Sequence, residues 1–218
     1  MPSALHLSRL LLLVAITVCG GVASADRGAL TVDVGGGVTG LRLGAPFARP
    51  QVAVNGVAPA VWLGGRYALR NELELALGGF YEPPVTYWHH NVTVPTERGE
   101  FPGTLTHRMH RYGAVVGARY LHGMVWRATV GLDVGWSRRG YSDFTHLDVS
   151  EVSGPIDYEL ALPAFRTDNF LLAPVVGLEW AAGDHWSLSL LPRVELLLGP
   201  DPTVAITVPL TLSWSWYL

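Results

Sequence analysis

The sequence has 218 residues, a formal net charge of −3 and 49% hydrophobic residues, with a single cysteine, Cys19. One cysteine excludes an intramolecular disulfide framework. All 15 basic residues are arginine and they form no basic run, so we expect no nucleic-acid partner.

The first 25 residues have the pattern of a secretory signal peptide. Arg9 precedes an uncharged apolar run, and Ala23-Ser24-Ala25 supplies a small-x-small cleavage site. The run is shorter than the roughly 20 residues that a membrane-spanning helix needs. The sequence therefore predicts a cleaved signal peptide over residues 1–25 and one mature domain over residues 26–218. Lipidation of Cys19 is the alternative, although Val18 fits a lipobox poorly.

Eight segments of the mature chain alternate between apolar and polar or small residues, which is the period of a β-strand. In the first, Leu30, Val32 and Val34 alternate with Thr31 and Asp33. Only every second residue of a membrane strand meets lipid, so the pattern predicts an all-β fold, an eight-stranded antiparallel up-and-down transmembrane β-barrel. The segments cover residues 30–38, 61–69, 73–81, 111–120, 126–136, 169–180, 186–198 and 203–218.

The charged residues of these segments all lie on the parity opposite to the apolar one. One arginine on the lipid face costs about 2–4 kcal/mol, so we expect this parity to face the lumen, where opposite charges can pair. An eight-stranded barrel is just wide enough to be filled by side chains, which favours a charged plug over a pore. The predicted interior charge network consists of Asp33, Arg66, Glu74, Arg111, Arg119, Arg127, Asp133, Glu179, Arg193 and Glu195.

The connections predict which end of the barrel faces which compartment. Short turns at 70–71, 122–123 and 181–185 alternate with segments 39–57, 82–107, 137–167 and 199–202, most of them long, which we interpret as irregular extracellular loops. Short periplasmic turns and an even strand number place both termini in the periplasm.

Aromatic residues fall at both ends of the predicted strands, as expected for membrane-interface girdles. Three prolines within strands, Pro174, Pro192 and Pro209, each remove a ladder donor, and the pattern offers no account of them beyond bulges or shifted boundaries. The predicted periplasmic girdle contains Tyr67, Tyr120, Trp126, Trp180, Trp186 and Trp214 or Trp216, and the outer girdle contains Tyr81, Tyr112, Trp136 and Phe170.

The last segment, Val208-Pro-Leu-Thr-Leu-Ser-Trp-Ser-Trp-Tyr-Leu218, alternates up to the terminus. With the strand count and parity, it resembles the small outer-membrane barrels of the OmpA/OmpX/OmpW type, which are porin-like in architecture, over the whole mature length. The ending resembles the signal read by the barrel-assembly machinery, except that Leu218 replaces the usual Phe. The resemblance implies a Gram-negative outer membrane, with outer-membrane lipid, lipopolysaccharide and the assembly machinery as partners.

Two constellations suggest chemistry, and a simpler interpretation is favoured for each. His185-Trp186-Ser187 with Glu195 resembles the His-x-Ser and Glu of lipid A deacylases, but Ser187 and Glu195 face the lumen and the turn is periplasmic. The imidazoles of four histidines are possible metal ligands: His89, His90, His107 and His110. Their spacing does not require the four side chains to meet at one point, which favours a polar surface loop. We therefore expect no enzyme activity, no metal and no cofactor.

The leading functional hypothesis is a non-enzymatic barrel, structural or surface-binding, that displays extracellular loops. Arg108, Arg138 and Arg139 at the outer rim are candidates for contact with lipid A phosphates. The alternatives are a narrow channel, or lateral path for small apolar molecules, near the three glycines of segment 35–37, and a lipid A-modifying enzyme.

Overall fold

The computed structural model describes residues 28–47, 53–96, 99–150, 154–159 and 162–216; the predicted signal peptide lies outside this range. Within the described residues, no helix is long and apolar enough to cross a lipid bilayer. The strands are β1 (Leu30–Leu43), β2 (Val54–Arg70), β3 (Leu73–Thr96), β4 (Gly99–His122), β5 (Trp126–Ser150), β6 (Gly154–Glu159), β7 (Phe165–Ala181), β8 (Trp186–Leu190), β9 (Arg193–Leu198) and β10 (Thr203–Trp216).

The strands form one antiparallel sheet that closes on itself. Successive strands pair around the wall from β1 to β5, then β7, then β8 with β9, then β10, which pairs with β1. β8 and β9 share one wall position, and β6 extends the sheet beside the far end of β5. The wall therefore has eight strand positions, which confirms the predicted eight-stranded antiparallel up-and-down barrel.

The three prolines lie around a single interruption of this wall. β8 ends at Leu190 and β9 begins at Arg193, so Pro192 occupies the break. Pro174 of β7 stands where the β7–β9 ladder skips residues, and the Pro209 carbonyl accepts a bond from the Leu191 N–H at 3.4 Å. The register against β7 and β10 is the same on both sides of the break. Grouping the prolines confines their missing donors to one patch and leaves the barrel's register intact.

The two ends of the barrel differ in length. One end, called the turn end, carries the connections 71–72, 123–125 and 182–185. β3, β4 and β5 are 24, 24 and 25 residues long in total, and their far ends, residues 83–96, 99–110 and 140–150, form what we call the extension. The expectation of irregular loops over 82–107 and 137–167 is wrong for most of the described residues, because they are paired strand.

Register shifts in the extension keep its inner face continuous. The β3–β4 ladder shifts between Glu82 and Val85 and again between His89 and Val92, and the β4–β5 ladder shifts between Thr106 and Arg108. Asn91 and Asp143 have positive φ values of 55° and 51° near these shifts, a conformation that Asn and Asp tolerate better than most residues. Each bulge adds one residue, so the residues that point inward change parity along the strand.

Candidate functional site in the barrel interior and on the outer face

The interior at the turn end is built around the buried guanidinium of Arg66. Arg66 Nε lies 2.9 Å from Asp33 Oδ2, and its Nη1 lies 2.9 Å from Glu74 Oε2 and 2.8 Å from Glu179 Oε2. Arg127 Nη1 adds a contact to Glu179 Oε1 at 3.2 Å. These side chains come from five different strands, so the ion pairs join the walls of the barrel across its axis.

Two further ionic clusters follow along the axis. In the middle, Asp133 Oδ2 lies 3.1 Å from Arg193 Nη1 and 3.7 Å from Arg119 Nη2. Nearer the extension, Arg111 Nη1 lies 2.5 Å from Glu195 Oε2, and its Nε and Nη2 bond to Glu82. Buried opposite charges that also make hydrogen bonds are the arrangement in which burial of ions is tolerated.

All ten predicted interior charges point into the barrel and each contacts an opposite charge. The sequence analysis missed Glu82 and the buried Arg139, which contacts Asp201 at 3.0 Å. Both lie in segments assigned to loops, although Glu82 continues the parity of Glu74 and Arg139 that of Asp133. Arg139 was expected at the outer rim; that expectation is wrong, because its side chain is fully buried inside the barrel.

Two small cavities lie among these charges. One cavity of about 30 Å³ lies at the turn end beside Arg66 and Glu179, and another of about 30 Å³ lies beside Arg119 and Arg193. Each holds roughly two water molecules.

Two aromatic rings lie between the middle ionic cluster and that of Arg111, and beyond Arg111 the interior is mostly apolar. Trp62 and Phe80 lie with ring centroids 4.9 Å apart, and each carries a guanidinium on its ring: Arg193 at 3.9 Å and Arg111 at 4.7 Å. Cation–π contacts of this kind join the charged and apolar parts. The apolar core then continues through the extension with Leu41, Leu43, Tyr87, Val92, Val94, Leu105, Met109, Tyr141 and Phe144.

Two histidines of the predicted surface loop lie inside this core. His89 and His107 are fully buried with ring centroids 5.1 Å apart, and the His107 ring also packs 5.7 Å from Phe144. Burial, together with the neighbouring His89, lowers the pKa of His107 from 6.5 to about 3. The interpretation of these two as polar surface residues is therefore wrong.

The remaining histidines of that group lie on the other face of the sheet. His90 is exposed and its Nδ1 lies 3.1 Å from Thr104 Oγ1, while His110 stacks on Tyr112 at 6.3 Å. The group is thus split between inside and outside. Among the described residues no cluster of three or more His, Cys, Asp or Glu side chains is arranged to hold a metal ion.

The outer face carries the predicted aromatic residues in two bands. At the turn end Trp126 stacks on Trp180 at 6.1 Å, and Trp186 meets Trp214 edge-on at 4.2 Å. The outward-facing side chains at this end are those of Tyr67, Tyr120, Trp126, Trp180, Trp186, Trp214 and Trp216. The second band, called the upper band, consists of Tyr81, Tyr112, Trp136 and Phe170.

The residues of the hydrolase-like constellation are not brought together. His185 Nδ1 lies 3.0 Å from the Ser215 carbonyl oxygen at the turn end. Ser187 points inward near that end, whereas Glu195 is eight residues along the same wall position and bonded to Arg111. Eight residues of strand span about 26 Å, so the three groups do not meet at a common substrate.

The glycines of β1 pack closely against β10. A Cβ on Gly35 would lie 2.6 Å from the Leu210 carbonyl oxygen, and one on Gly37 would lie 2.4 Å from that of Val208. These positions need glycine because the neighbouring backbone approaches so closely. Close packing, rather than a weakened wall, is what the geometry favours here.

Comparison with protein-family models and with curated proteins finds no match. Solved structures do match. Ail of Yersinia pestis, in complex with the heparin analogue sucrose octasulfate, gives a TM-score of 0.51 at 11% identity over 88% of this chain and 100% of Ail. OprG from Pseudomonas aeruginosa gives 0.51 at 12% identity over 91% and 100%, and Neisserial surface protein A gives 0.50 at 12% over 86% and 99%. The chain has the fold of the small outer-membrane β-barrels. Identities this low show the fold and no more.

Proposed function

We propose that this protein is a non-enzymatic outer-membrane barrel with a closed lumen, whose extension forms a binding surface outside the cell. The turn end and both termini lie in the periplasm, residues 1–25 are removed on export, and the assembly machinery inserts the mature chain. Outer-membrane lipid and lipopolysaccharide then surround the wall.

The spacing of the aromatic bands supports the membrane placement. Trp126 of the lower band and Trp136 of the upper band are ten residues apart on β5. At about 3.3 Å per residue and a strand tilt of about 40°, ten residues rise roughly 25 Å, which is the height of the apolar belt of outer-membrane barrels. Between the bands the outward residues of β5 are apolar, for example Val130 and Leu132.

The observation that carries the closed lumen is its filling at every level. Arg66 with three carboxylates occupies the turn end, Arg111 with two carboxylates occupies the level of the upper band, and Leu105, Met109 and neighbouring rings fill the extension. A solute passing through would have to separate ion pairs first and apolar contacts next. The barrel therefore acts through its surface rather than as a conduit.

Planar-bilayer recording tests this proposal. We expect no conductance steps from purified protein whose folded state is verified by heat-modifiable migration in gels. Reproducible steps above the lipid background would overturn the closed lumen and favour the narrow channel instead.

A shortened barrel tests the role of the extension. Replacing 84–106 and 142–163 by tight turns keeps both aromatic bands and the ionic clusters. We expect this variant to remain heat-modifiable but to fail to restore the wild-type phenotype in a deletion strain. Full restoration by the shortened barrel would show that the extension is not the active part.

A further inference from the structure

Among the described side chains on the outer face of the extension, one large aromatic ring is exposed, and its neighbours are mostly polar. Trp88 points outward from β3 with 55% of its surface exposed, beside Thr106 of β4 in the ladder. The Thr106 hydroxyl bonds to that of Thr145 on β5. An indole that lies open on a surface of hydroxyl groups has an apolar ring face and hydrogen-bonding neighbours within reach of the same ligand.

Other polar side chains surround this ring. His90 Nδ1 and Thr104 Oγ1 are 3.1 Å apart just beyond it, and Thr86 precedes it on β3. Arg108, which pairs with Thr86 in the ladder, is half-exposed and lies 3.6 Å from Asp143. The face thus presents hydroxyl, imidazole and guanidinium groups around a single aromatic platform, which is a pattern suited to a polar ligand with an apolar side, such as a sugar ring.

Arginines lie between this platform and the upper aromatic band. Arg138 extends over the Trp136 ring at 5.1 Å and bonds to Asp168 at 2.7 Å, while Arg166 stands two rows higher on β7. Together with Arg108 and Asp143, this row contains three arginines and two aspartates. Its local formal charge is therefore 3 − 2 = +1. Guanidinium groups bind phosphate oxygens in a bidentate geometry, so this row suits a phosphorylated ligand.

The height of the platform fits one molecule in particular. Thr106, beside Trp88, is six residues beyond Tyr112 of the upper band. Six residues of tilted strand rise roughly 15 Å, above the hydrocarbon and above the phosphate level but beside the barrel wall. The same outward face that meets acyl chains below the band continues upward without a break. Its lateral neighbour at this height is the sugar of the outer-leaflet glycolipid.

We propose that the outer face of β3, β4 and β5 is a binding site for the phosphorylated sugar head of a lipopolysaccharide molecule in the surrounding leaflet. Trp88 stacks on the C–H face of a sugar ring, the hydroxyl and imidazole groups beside it bond to sugar hydroxyls, and Arg108 and Arg166 pair with phosphate. This inference rests on the proposed function, since it requires the barrel to stand in that membrane.

Titration of the refolded protein in detergent micelles with deacylated lipopolysaccharide tests the site without a contribution from acyl chains. We expect wild type to bind the phosphorylated oligosaccharide. Trp88→Ala should weaken binding about tenfold, which corresponds to about 1.4 kcal/mol, because the variant loses the stacking contact. Trp126→Ala is the matched control: it removes an outward ring of 56% exposure at the opposite end and should leave affinity unchanged.

A separate pair of substitutions tests the arginine row. Arg108→Gln with Arg166→Gln should weaken binding of the phosphorylated oligosaccharide and leave the dephosphorylated form unaffected. Trp88→Leu, which keeps apolar bulk, guards against an effect of misfolding and should also weaken binding in a heat-modifiable barrel.

Three results would overturn the inference: no binding by wild type, equal affinity of Trp88→Ala, or a preference for unrelated neutral glycans over the lipopolysaccharide oligosaccharide. If the protein gives no conductance steps and does not bind the oligosaccharide, this inference is overturned and the closed lumen still stands. If it gives conductance steps and binds the oligosaccharide normally, the closed lumen is overturned and this inference still stands.

Discussion

The membrane-spanning part and the extension of the same strands have opposite sidedness. Between the aromatic bands, β5 points Asp133 into the lumen and Leu132 outward; in the extension it points Tyr141 inward and Asp143 outward. β4 does the same, with Arg111 inside the lower part and Leu105 inside the upper part. The polarity of each face changes at the upper band, while the strands and their pairing continue.

The difference follows from the solvent on the outside of the wall. Beside lipid, an outward apolar residue costs nothing and an outward arginine costs about 2–4 kcal/mol, so charges gather in the lumen. Beside water, the hydrophobic effect is restored at roughly 25 cal/mol for each Å² of apolar surface buried, and apolar residues gather in the lumen instead. The interior of one barrel therefore contains ion pairs below and hydrophobic packing above.

The largest effect is expected from the ionic part. Arg111→Met leaves Glu82 and Glu195 buried without a counter-charge and should lower the free energy of unfolding by about 3–5 kcal/mol. Urea unfolding in lipid vesicles measures this. Adding Glu82→Gln and Glu195→Gln to the same variant removes the orphaned charges and should restore most of the loss. If the single variant is as stable as wild type, the ion pairs are not what holds this level together.

The next effect sharpens the contrast with the extension. Leu105 is fully buried in the upper lumen, so Leu105→Ala should destabilise by about 3 kcal/mol through lost burial and a cavity. Leu77→Ala is the matched control, since Leu77 faces outward between the bands, where lipid fills the space. Equal losses for the two leucines would contradict the change of sidedness.

Acid should weaken the extension selectively. His107 is surrounded by His89, Tyr87 and Tyr141, and its pKa of about 3 when folded lies below the 6.5 of an unperturbed histidine. The unfolded chain therefore takes up this proton as pH falls below 6.5, while the folded chain does not. Stability is complete at neutral pH and falls toward pH 3, by about 2 kcal/mol at pH 5.

Unfolding in vesicles and limited proteolysis at pH 7.5 and 5 check this expectation. His107→Phe should reduce the pH dependence, and His90→Gln, at an exposed histidine of the same hairpin, should not. An unchanged pH profile in His107→Phe would assign the acid sensitivity to other groups.

The two-residue alternation of apolar and polar residues predicted most of the fold, because between the two aromatic bands every strand alternates between lipid-facing and lumen-facing residues. It missed the extension, because a constant apolar-outward parity was assumed. Residues 104–110 alternate just as clearly, with Leu105, His107 and Met109 inward, but their polar parity faces water rather than the lumen. The interior positions of Glu82 and Arg139 were missed because both residues lie in segments assigned to loops. The grouping of Pro174, Pro192 and Pro209 depends on pairing between strands, which no single segment reveals.

Oxidation of the two described methionines tests the closed lumen most directly, because it needs no substitution. Met109 is 1% exposed inside the extension, and Met124 is 59% exposed in a turn. Treating the folded barrel with dilute hydrogen peroxide and following each sulfoxide by mass spectrometry compares the same chemistry at both sites. We predict that Met124 oxidises at least about tenfold faster than Met109, and that the two rates become equal in urea. Comparable rates in the folded protein would show that water reaches the upper lumen, contrary to this account.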